Sequence, residues 1–320
     1  MKLSVVVTDD RFNDYHEERE VFSDSGIELV IKNIQKNDPI PDEIIKADGI
    51  LCNLYPMPRQ VIDRLEKCRI IARYGVGFDN VDIEAAQSKH IWVSNVPDYS
   101  VEDVSDHILM FLFGCVRRIT SVHREIVQGK WNLQNAYELH RMKGKSLGII
   151  GYGRIGSALH RKTKGFGFSH VFVYDPFVSS TQIEANGGEP VNLDPLLERS
   201  DYISITVPLT EQTRHFMGPR ELGLLKKTAV IINTSRGGII DQESLISLLE
   251  KEPGIVAGLD VFEEEPIRVG NPLLSLDNVI LSSHMAYYSI ESVSELKIKA
   301  AQNVLEVLSG RPPIYPVNQL

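Results

Sequence analysis

The 320-residue chain predicts an α/β protein of two doubly wound parallel-sheet units. Three observations carry that expectation. Short runs rich in β-branched residues alternate with helical stretches along the chain. A strand–glycine turn–helix signature stands near the middle of the chain and not at its start. The length also exceeds what one ordinary core organises, so two domains are the natural reading.

The first series opens with LSVVVT (3–8), read as a strand, and an acidic helix around 13–24. IELVIK (27–32), GILCNL (49–54) and RIIARY (69–74) are further strands with helical stretches between them. A long helix is expected from Ser100, which can cap it, with Glu102 and Asp103 favouring its first turn. Its apolar positions continue through Val104, Ile108, Phe111 and Leu112. The pattern restarts at Lys145. SLGII (146–150), HVFVYD (170–175), DYISITV (201–207), TAVIIN (228–233), GIVAGL (254–259) and NVILSS (278–283) read as a second strand series. A last helix around 290–309 stops at Gly310, with Pro312 and Pro313 beyond. The boundary between the two series falls near residue 99.

Composition excludes several classes. A formal charge of -9 repels nucleic acid and acidic membrane surfaces, so neither is an expected partner. No apolar run is long enough for a bilayer, and the N-terminus carries no signal-peptide pattern, so the cytoplasm is the expected location. Cys52, Cys68 and Cys115 form neither a CxxC pair nor a metal-ligand cluster. An odd number of cysteines argues against a disulfide framework, and no metal is expected. Cys52 and Cys115 sit in apolar runs and read as core.

Gly151-Tyr152-Gly153-Arg154-Ile155-Gly156 follows the strand Ser146–Ile150, with a helix expected from Ala158 onward. Gly151 permits the tight turn, Gly153 lets the backbone approach a pyrophosphate, and Gly156 lets helix and strand pack closely. The helix N-terminus offers free N–H groups and a partial positive charge to phosphates, and Arg154 adds a cation. Asp175 ends the next strand at the place of a ribose-binding acid. Its carboxylate accepts from ribose hydroxyls and repels a 2′-phosphate, and Pro176, Phe177 and Val178 supply no cation to hold one. The cofactor expected is therefore NAD in preference to NADP.

Hydride transfer to a 2-oxo acid needs a cation for the carboxylate and carbonyl, an acid for the developing alkoxide, and a partner that orients that acid. Arg236, Glu265 and His284 supply these types, each just beyond a predicted strand, where open β/α sheets bind ligands. Gly237 and Gly238 follow Arg236 and let a ligand approach the backbone. An adjacent carboxylate raises the pKa of an imidazole and fixes its ring. Taken singly, a loop arginine, a run of three glutamates and a histidine after a strand are ordinary solvated or structural groups. Their order behind a dinucleotide turn sets them apart, and the other eight histidines lack that position.

These segments resemble the D-isomer-specific 2-hydroxyacid dehydrogenase family. The resemblance runs from about Ala72 to Asn318. It includes Arg73-Tyr74-Gly75-Val76-Gly77-Phe78-Asp79-Asn80-Val81-Asp82, Asn95-Val96-Pro97, Val207-Pro208-Leu209-Thr210, Asn233-Thr234-Ser235-Arg236-Gly237-Gly238 and Gly258-Leu259-Asp260-Val261-Phe262 with Glu265-Pro266. It implies that Arg236 binds the substrate carboxylate and carbonyl and that His284, paired with Glu265, is the acid/base. Asp260 would hydrogen-bond the nicotinamide carboxamide. Val207, Pro208, Thr213, Thr234 and Ser235, with Ile155 of the glycine turn, would lie along the cofactor. The Val76 and Gly77 backbone, next to Tyr74, would hold the substrate carboxylate. The resemblance further implies that the last helix crosses back. A Rossmann NAD-binding domain, 100–285, would then be inserted into a flavodoxin-like substrate domain, 1–99 plus 286–320. A homodimer formed through the nucleotide-binding domain is implied as well.

Members similar to 3-phosphoglycerate dehydrogenase carry Arg-x-Arg in the loop after the third strand. Here Cys52 and Leu54 stand at those places, which argues against a phosphorylated substrate, although Arg59 nearby is an alternative cation for one. Tyr55, Met57, Tyr287 and Tyr288 are candidates to line a partly apolar pocket for a small or medium 2-oxo acid, such as glyoxylate, hydroxypyruvate or a longer analogue. The same side chains also suit packing between domains. Asn95–Glu102 and His284–Ser289 lean toward the corepressor-like branch of the family, which opens a second reading, an NAD(H)-sensing scaffold with little turnover. Relatives acting on formate or phosphite are a third. The intact Arg236, Glu265 and His284 favour turnover.

Overall fold

The computed structural model describes residues 2–35, 38–131 and 138–320. The chain divides into two compact units, Met1–Ser100 with Tyr288–Leu320, and Val101–Tyr287. Each is built on a fully parallel sheet.

Among the described residues the first unit has five strands: β1 (Ser4–Val7), β2 (Glu28–Ile31), β3 (Gly49–Cys52), β4 (Ile70–Arg73) and β5 (Trp92–Ser94), in the spatial order β2-β1-β3-β4-β5. That is the flavodoxin-like order, with the reversal between β1 and β3. β3 and β4 are buried at every position, which suits runs covered on both faces by helices. The chain returns to this unit in the helix Ile290–Leu308, whose Leu296, Ala300, Ala301 and Val304 are buried. The segment after it pairs antiparallel with the β5 edge through Pro316 and Ser94. Asn318 accepts from Val93 N–H and donates to Ile91 C=O, so this edge is closed and not left as a template for further pairing.

Lys297, nearly buried on the last helix, pairs with Glu17 of the acidic helix His16–Phe22. Glu18 accepts from the Tyr74 hydroxyl at 2.7 Å, and burial pushes both of these groups up from their ordinary pKa values. The helix expected only as acidic thus turns two glutamates inward because a lysine and a tyrosine meet them there.

Among the described residues the second unit has seven strands: β6 (Ser146–Ile150), β7 (His170–Tyr174), β8 (Glu189–Pro190), β9 (Tyr202–Ile205), β10 (Val230–Asn233), β11 (Val256–Leu259) and β12 (Val279–Leu281). Their order is β12-β11-β10-β9-β6-β7-β8. The reversal falls between β6 and β9, the switch point where a doubly wound sheet opens a ligand crevice. Alternate residues feed two cores. Ile150, Ile203, Ile205 and Ile231 face one layer, whereas Leu147, Ile149, Tyr202 and Ile232 face the layer that contains Phe111 of the helix Val101–Val116. Close packing there is severe enough that a Cβ on Gly258 would lie 2.8 Å from the Phe111 side chain.

Two strands escape the sequence pattern. β5 has three residues and β8 two, too short to show an alternation. The helix after the glycine turn begins at Arg154, four residues earlier than expected, because Gly153 is already its N-cap. No helix among the described residues is long and apolar enough to cross a membrane. All three cysteines are buried and unpaired.

Candidate active site

The glycine turn is built by three different constraints. Gly151 adopts φ +94°, and a Cβ there would also lie 2.9 Å from the Thr206 backbone. A Cβ on Gly156 would lie 2.1 Å from the Gly151 carbonyl oxygen, so only glycine lets the helix start this close to the strand. At Gly153 a Cβ would meet nothing. This position faces open space, as a backbone that admits a ligand must. The helix Arg154–Thr163 has no side-chain cap, so its N-terminal N–H groups face outward. Arg154 is exposed and Ile155 is half-buried against the core.

Asp175 is coupled to the turn itself. Its carboxylate accepts from Tyr152 N–H at 2.7 Å and from Phe177 N–H at 2.8 Å. Thr206, which sequence reading passed over, ties β9 to the turn by donating to the Gly151 carbonyl at 2.7 Å. Val207 touches the Gly151 position, and Thr213 donates to the Pro208 carbonyl at 2.6 Å, closing the loop after β9. Ser235 donates to the Ile205 carbonyl, stitching the ends of β9 and β10. The Thr234 hydroxyl is buried without a hydrogen-bond partner. An uncapped helix terminus, an open glycine and an unsatisfied hydroxyl at one end of the sheet fit a dinucleotide.

Beyond β10, β11 and β12 the three expected catalytic types come together. His284 Nδ1 lies 2.6 Å from Glu265 Oε2, and Glu265 Oε1 accepts from Phe262 N–H at 3.0 Å. Burial pushes the Glu265 carboxyl up. The hydrogen bond and charge of His284, the Phe262 N–H and the charge of Arg236 outweigh it and hold the carboxyl below its ordinary value. Arg236 is half-buried, with Nη1 donating to the Ser235 carbonyl at 2.8 Å. Its neighbour Gly237 packs so closely on the next loop that a Cβ would lie 1.9 Å from the Phe262 carbonyl carbon. Glycine at 237 therefore lets the Arg236 and Glu265 loops meet.

His284 stands in the left-handed region at φ +52°, a conformation that a non-glycine residue keeps only when its surroundings hold it. Asp260, fully buried, does the holding. Its carbonyl accepts from His284 N–H at 2.7 Å, its Oδ1 from Met285 N–H at 2.9 Å, and its Oδ2 from Ala286 N–H at 2.9 Å. Oδ2 keeps a second lone pair for one further donor.

A pH dependence follows from the depressed Glu265 carboxyl. Its stabilising contribution is fully present above the ordinary value of 4.5 and is lost as pH falls through the depressed value. Wild type should therefore melt above Glu265→Gln at pH 7, and the gap should close on acidification below pH ~4. A melting gap that stays constant from neutral to acid pH would show that the carboxylate contributes no such linkage.

The substrate expectations on the first unit divide. Val76 is exposed and Gly77 half-buried, on a loop held by Asn95 Nδ2 donating to the Val76 carbonyl at 2.7 Å. Tyr74 is corrected: its ring is 1% exposed and its hydroxyl is spent on Glu18. Met57 is corrected too, being fully buried in the core of the first unit, where Tyr55 also packs. Tyr287 is half-buried against the second unit's core, and Tyr288 is exposed. Asn80 donates to both the Asn53 and Tyr55 carbonyls, and Asp9 accepts from the N–H groups of Asn53, Leu54 and Tyr55. The loop after β3 is thereby braced, with Leu54 exposed on it.

Residues 109–286 match the model for the NAD binding domain of D-isomer specific 2-hydroxyacid dehydrogenases. A glyoxylate reductase of Korarchaeum cryptofilum is 38% identical over 270 residues, covering 82% of this chain and 80% of that one. A D-3-phosphoglycerate dehydrogenase of Methanocaldococcus jannaschii is 38% identical over 253 residues, covering 79% of this chain but only 48% of the relative. Among solved structures, a D-lactate dehydrogenase from Aquifex aeolicus complexed with NAD and lactic acid superposes with a TM-score of 0.87 at 27% identity, covering 96% of each chain.

Proposed function

The chain belongs to the D-isomer-specific 2-hydroxyacid dehydrogenase family, an NAD-dependent enzyme group, and from that premise we propose that it interconverts a small, unphosphorylated 2-oxo acid and its D-2-hydroxy acid. The observation that carries the reading is the 2.6 Å His284–Glu265 pair beside the charge of Arg236. With Nδ1 engaged by Glu265, His284 presents Nε2 to a substrate.

Bound NADH supplies a hydride to the carbonyl carbon. The residues handle the rest. Arg236 holds the carboxylate and draws charge onto the carbonyl oxygen. His284 gives its Nε2 proton to that oxygen as it becomes an alkoxide, and the neutral ring stays oriented by Glu265. In the oxidative direction His284 takes the proton back. Glycines 151, 153 and 156, with Arg154 and Ile155, hold the pyrophosphate. Asp175 takes the ribose, and Val207, Pro208, Thr213, Thr234 and Ser235 flank the cofactor. Asp260, toward the nicotinamide carboxamide, belongs to the same proposal. Val76, exposed, and Gly77, half-buried, stay in the proposal as backbone donors for a carboxylate.

Glyoxylate or hydroxypyruvate is the substrate class favoured. Leu54 and the buried Cys52 offer no cation for a phosphate, and the relative named glyoxylate reductase is matched over 80% of its length, against 48% for the relative named D-3-phosphoglycerate dehydrogenase. A homodimer is part of the proposal. Met110, Phe113, Ile119 and Val127 lie exposed on two consecutive helices, and the mass in solution checks it.

The test is a panel of 2-oxo acids, phosphorylated and not, each with NADH and NADPH. Glyoxylate or hydroxypyruvate with NADH is expected to give the highest kcat/KM. Asp175→Asn, which keeps an acceptor for the turn but removes the charge, is expected to erode the preference for NADH by roughly tenfold or more as like-charge repulsion is lost. A phosphorylated acid as the preferred substrate would overturn the substrate class, and unchanged cofactor selectivity would clear Asp175 of its role.

A further inference from the structure

His107 sits on the helix Val101–Val116 with its side chain 14% exposed and its ring edge-on to Phe111 at 4.8 Å between centroids. Its Nε2 lies 2.9 Å from Ser282 Oγ, and Ser282 donates to Asp260 Oδ1 at 2.5 Å. An ionised carboxylate can only accept, so the Ser282 proton is committed to Asp260. Ser282 Oγ is then left to accept from His107, which makes His107 the Nε2–H tautomer. The chain of donors does not stop at Asp260. The same residue receives the N–H groups of His284, Met285 and Ala286, so one connected network runs from the helix to the backbone that carries His284.

We propose that His107 is a positioning residue for proton and hydride transfer: its Nε2–H orients Ser282 and Asp260 and thereby fixes His284 in its left-handed backbone. This rests on the reading of His284 as the acid/base. Burial lowers the His107 pKa more than nearby Asp260 raises it, so His107 acts as a directed donor and not as a counter-charge. A misplacement of about 1 Å at the reacting group is enough for a hundredfold loss, and the left-handed His284 has strain to release when its anchor loosens.

The experiment uses the full chain with NADH and the best 2-oxo acid from the panel, beginning with glyoxylate. His107→Leu fills a similar volume without a donor, whereas His107→Gln returns an N–H at similar reach. The expected result is a fall in kcat of about ten- to a hundredfold for His107→Leu with NADH binding little changed, and recovery of most of that loss in His107→Gln. A purely structural role would lower the melting temperature and leave kcat of the folded enzyme alone, which overturns the proposal. If His107→Leu does not fold, Ser282→Ala breaks the network one link on, and a wild-type kcat there overturns it equally. A wild type inert toward every 2-oxo acid removes the reading of His284 and this proposal with it. An active wild type with an unimpaired, folded variant removes this proposal alone.

Discussion

Replacing His284 with alanine is expected to lower kcat by about 10²–10⁴-fold, the usual worth of a positioned general acid, while NADH still binds. The size of the effect follows from how much of the local structure serves this one ring. Nδ1 is taken by Glu265, the backbone is held at φ +52°, and three consecutive N–H groups are bound by Asp260. Truncating the side chain leaves that clamp in place, because the clamp grips backbone. The loss should therefore fall on the chemical step and spare the fold. Stopped-flow turnover with saturating glyoxylate, paired with NADH fluorescence titration, separates the two. A variant that turns over within threefold of wild type would mean that the proton comes from another group. A variant that no longer binds NADH would mean that His284 holds the cofactor site together.

The sequence made the strand–turn–helix at 146–156 legible because its three glycines answer three local demands, a positive φ, an open face and a close approach, and each leaves its mark within six residues. Arg236, Glu265 and His284 were legible for a related reason: each follows a strand long enough to be read, at the end where doubly wound sheets bind ligands. What escaped was long-range. The contact of His107 with Ser282 spans 175 residues, and no local pattern marks a histidine on the apolar face of a helix as anything but core. Tyr74 misled in the opposite way. Its place beside Gly75-Val76-Gly77 suggested a substrate contact, but ring burial and a hydrogen bond to Glu18, 56 residues away, turn it inward. Short strands such as Glu189–Pro190 are held by their neighbours in the sheet and carry no periodicity of their own.

Arg236 carries the second large expectation. Arg236→Gln removes the permanent cation among the three expected catalytic residues, and truncating one side of a desolvated, hydrogen-bonded charge pair costs about 2–5 kcal/mol, roughly 30- to 5,000-fold in kcat/KM. Arg236→Lys restores a point charge but not the planar fork that grips a carboxylate with two parallel N–H bonds, so it should recover only part of the loss. The close packing of Gly237 on Phe262 fixes the loop from which Arg236 reaches out, so the side chain and not the backbone should carry the effect. The discriminating measurement compares glyoxylate with acetaldehyde, which keeps an aldehyde carbonyl and lacks the carboxylate. Wild type should prefer glyoxylate strongly, and Arg236→Gln should lose most of that preference while its weak activity on acetaldehyde changes far less. Equal losses on both substrates would assign Arg236 to the carbonyl alone, and no loss on either would place the carboxylate with another donor. Because the Arg236 charge also helps hold the Glu265 carboxyl below its ordinary value, the same variant should move that carboxyl upward. The acid limb of the pH–rate profile would then rise to higher pH in Arg236→Gln, a sign that a merely steric role for the arginine would not produce.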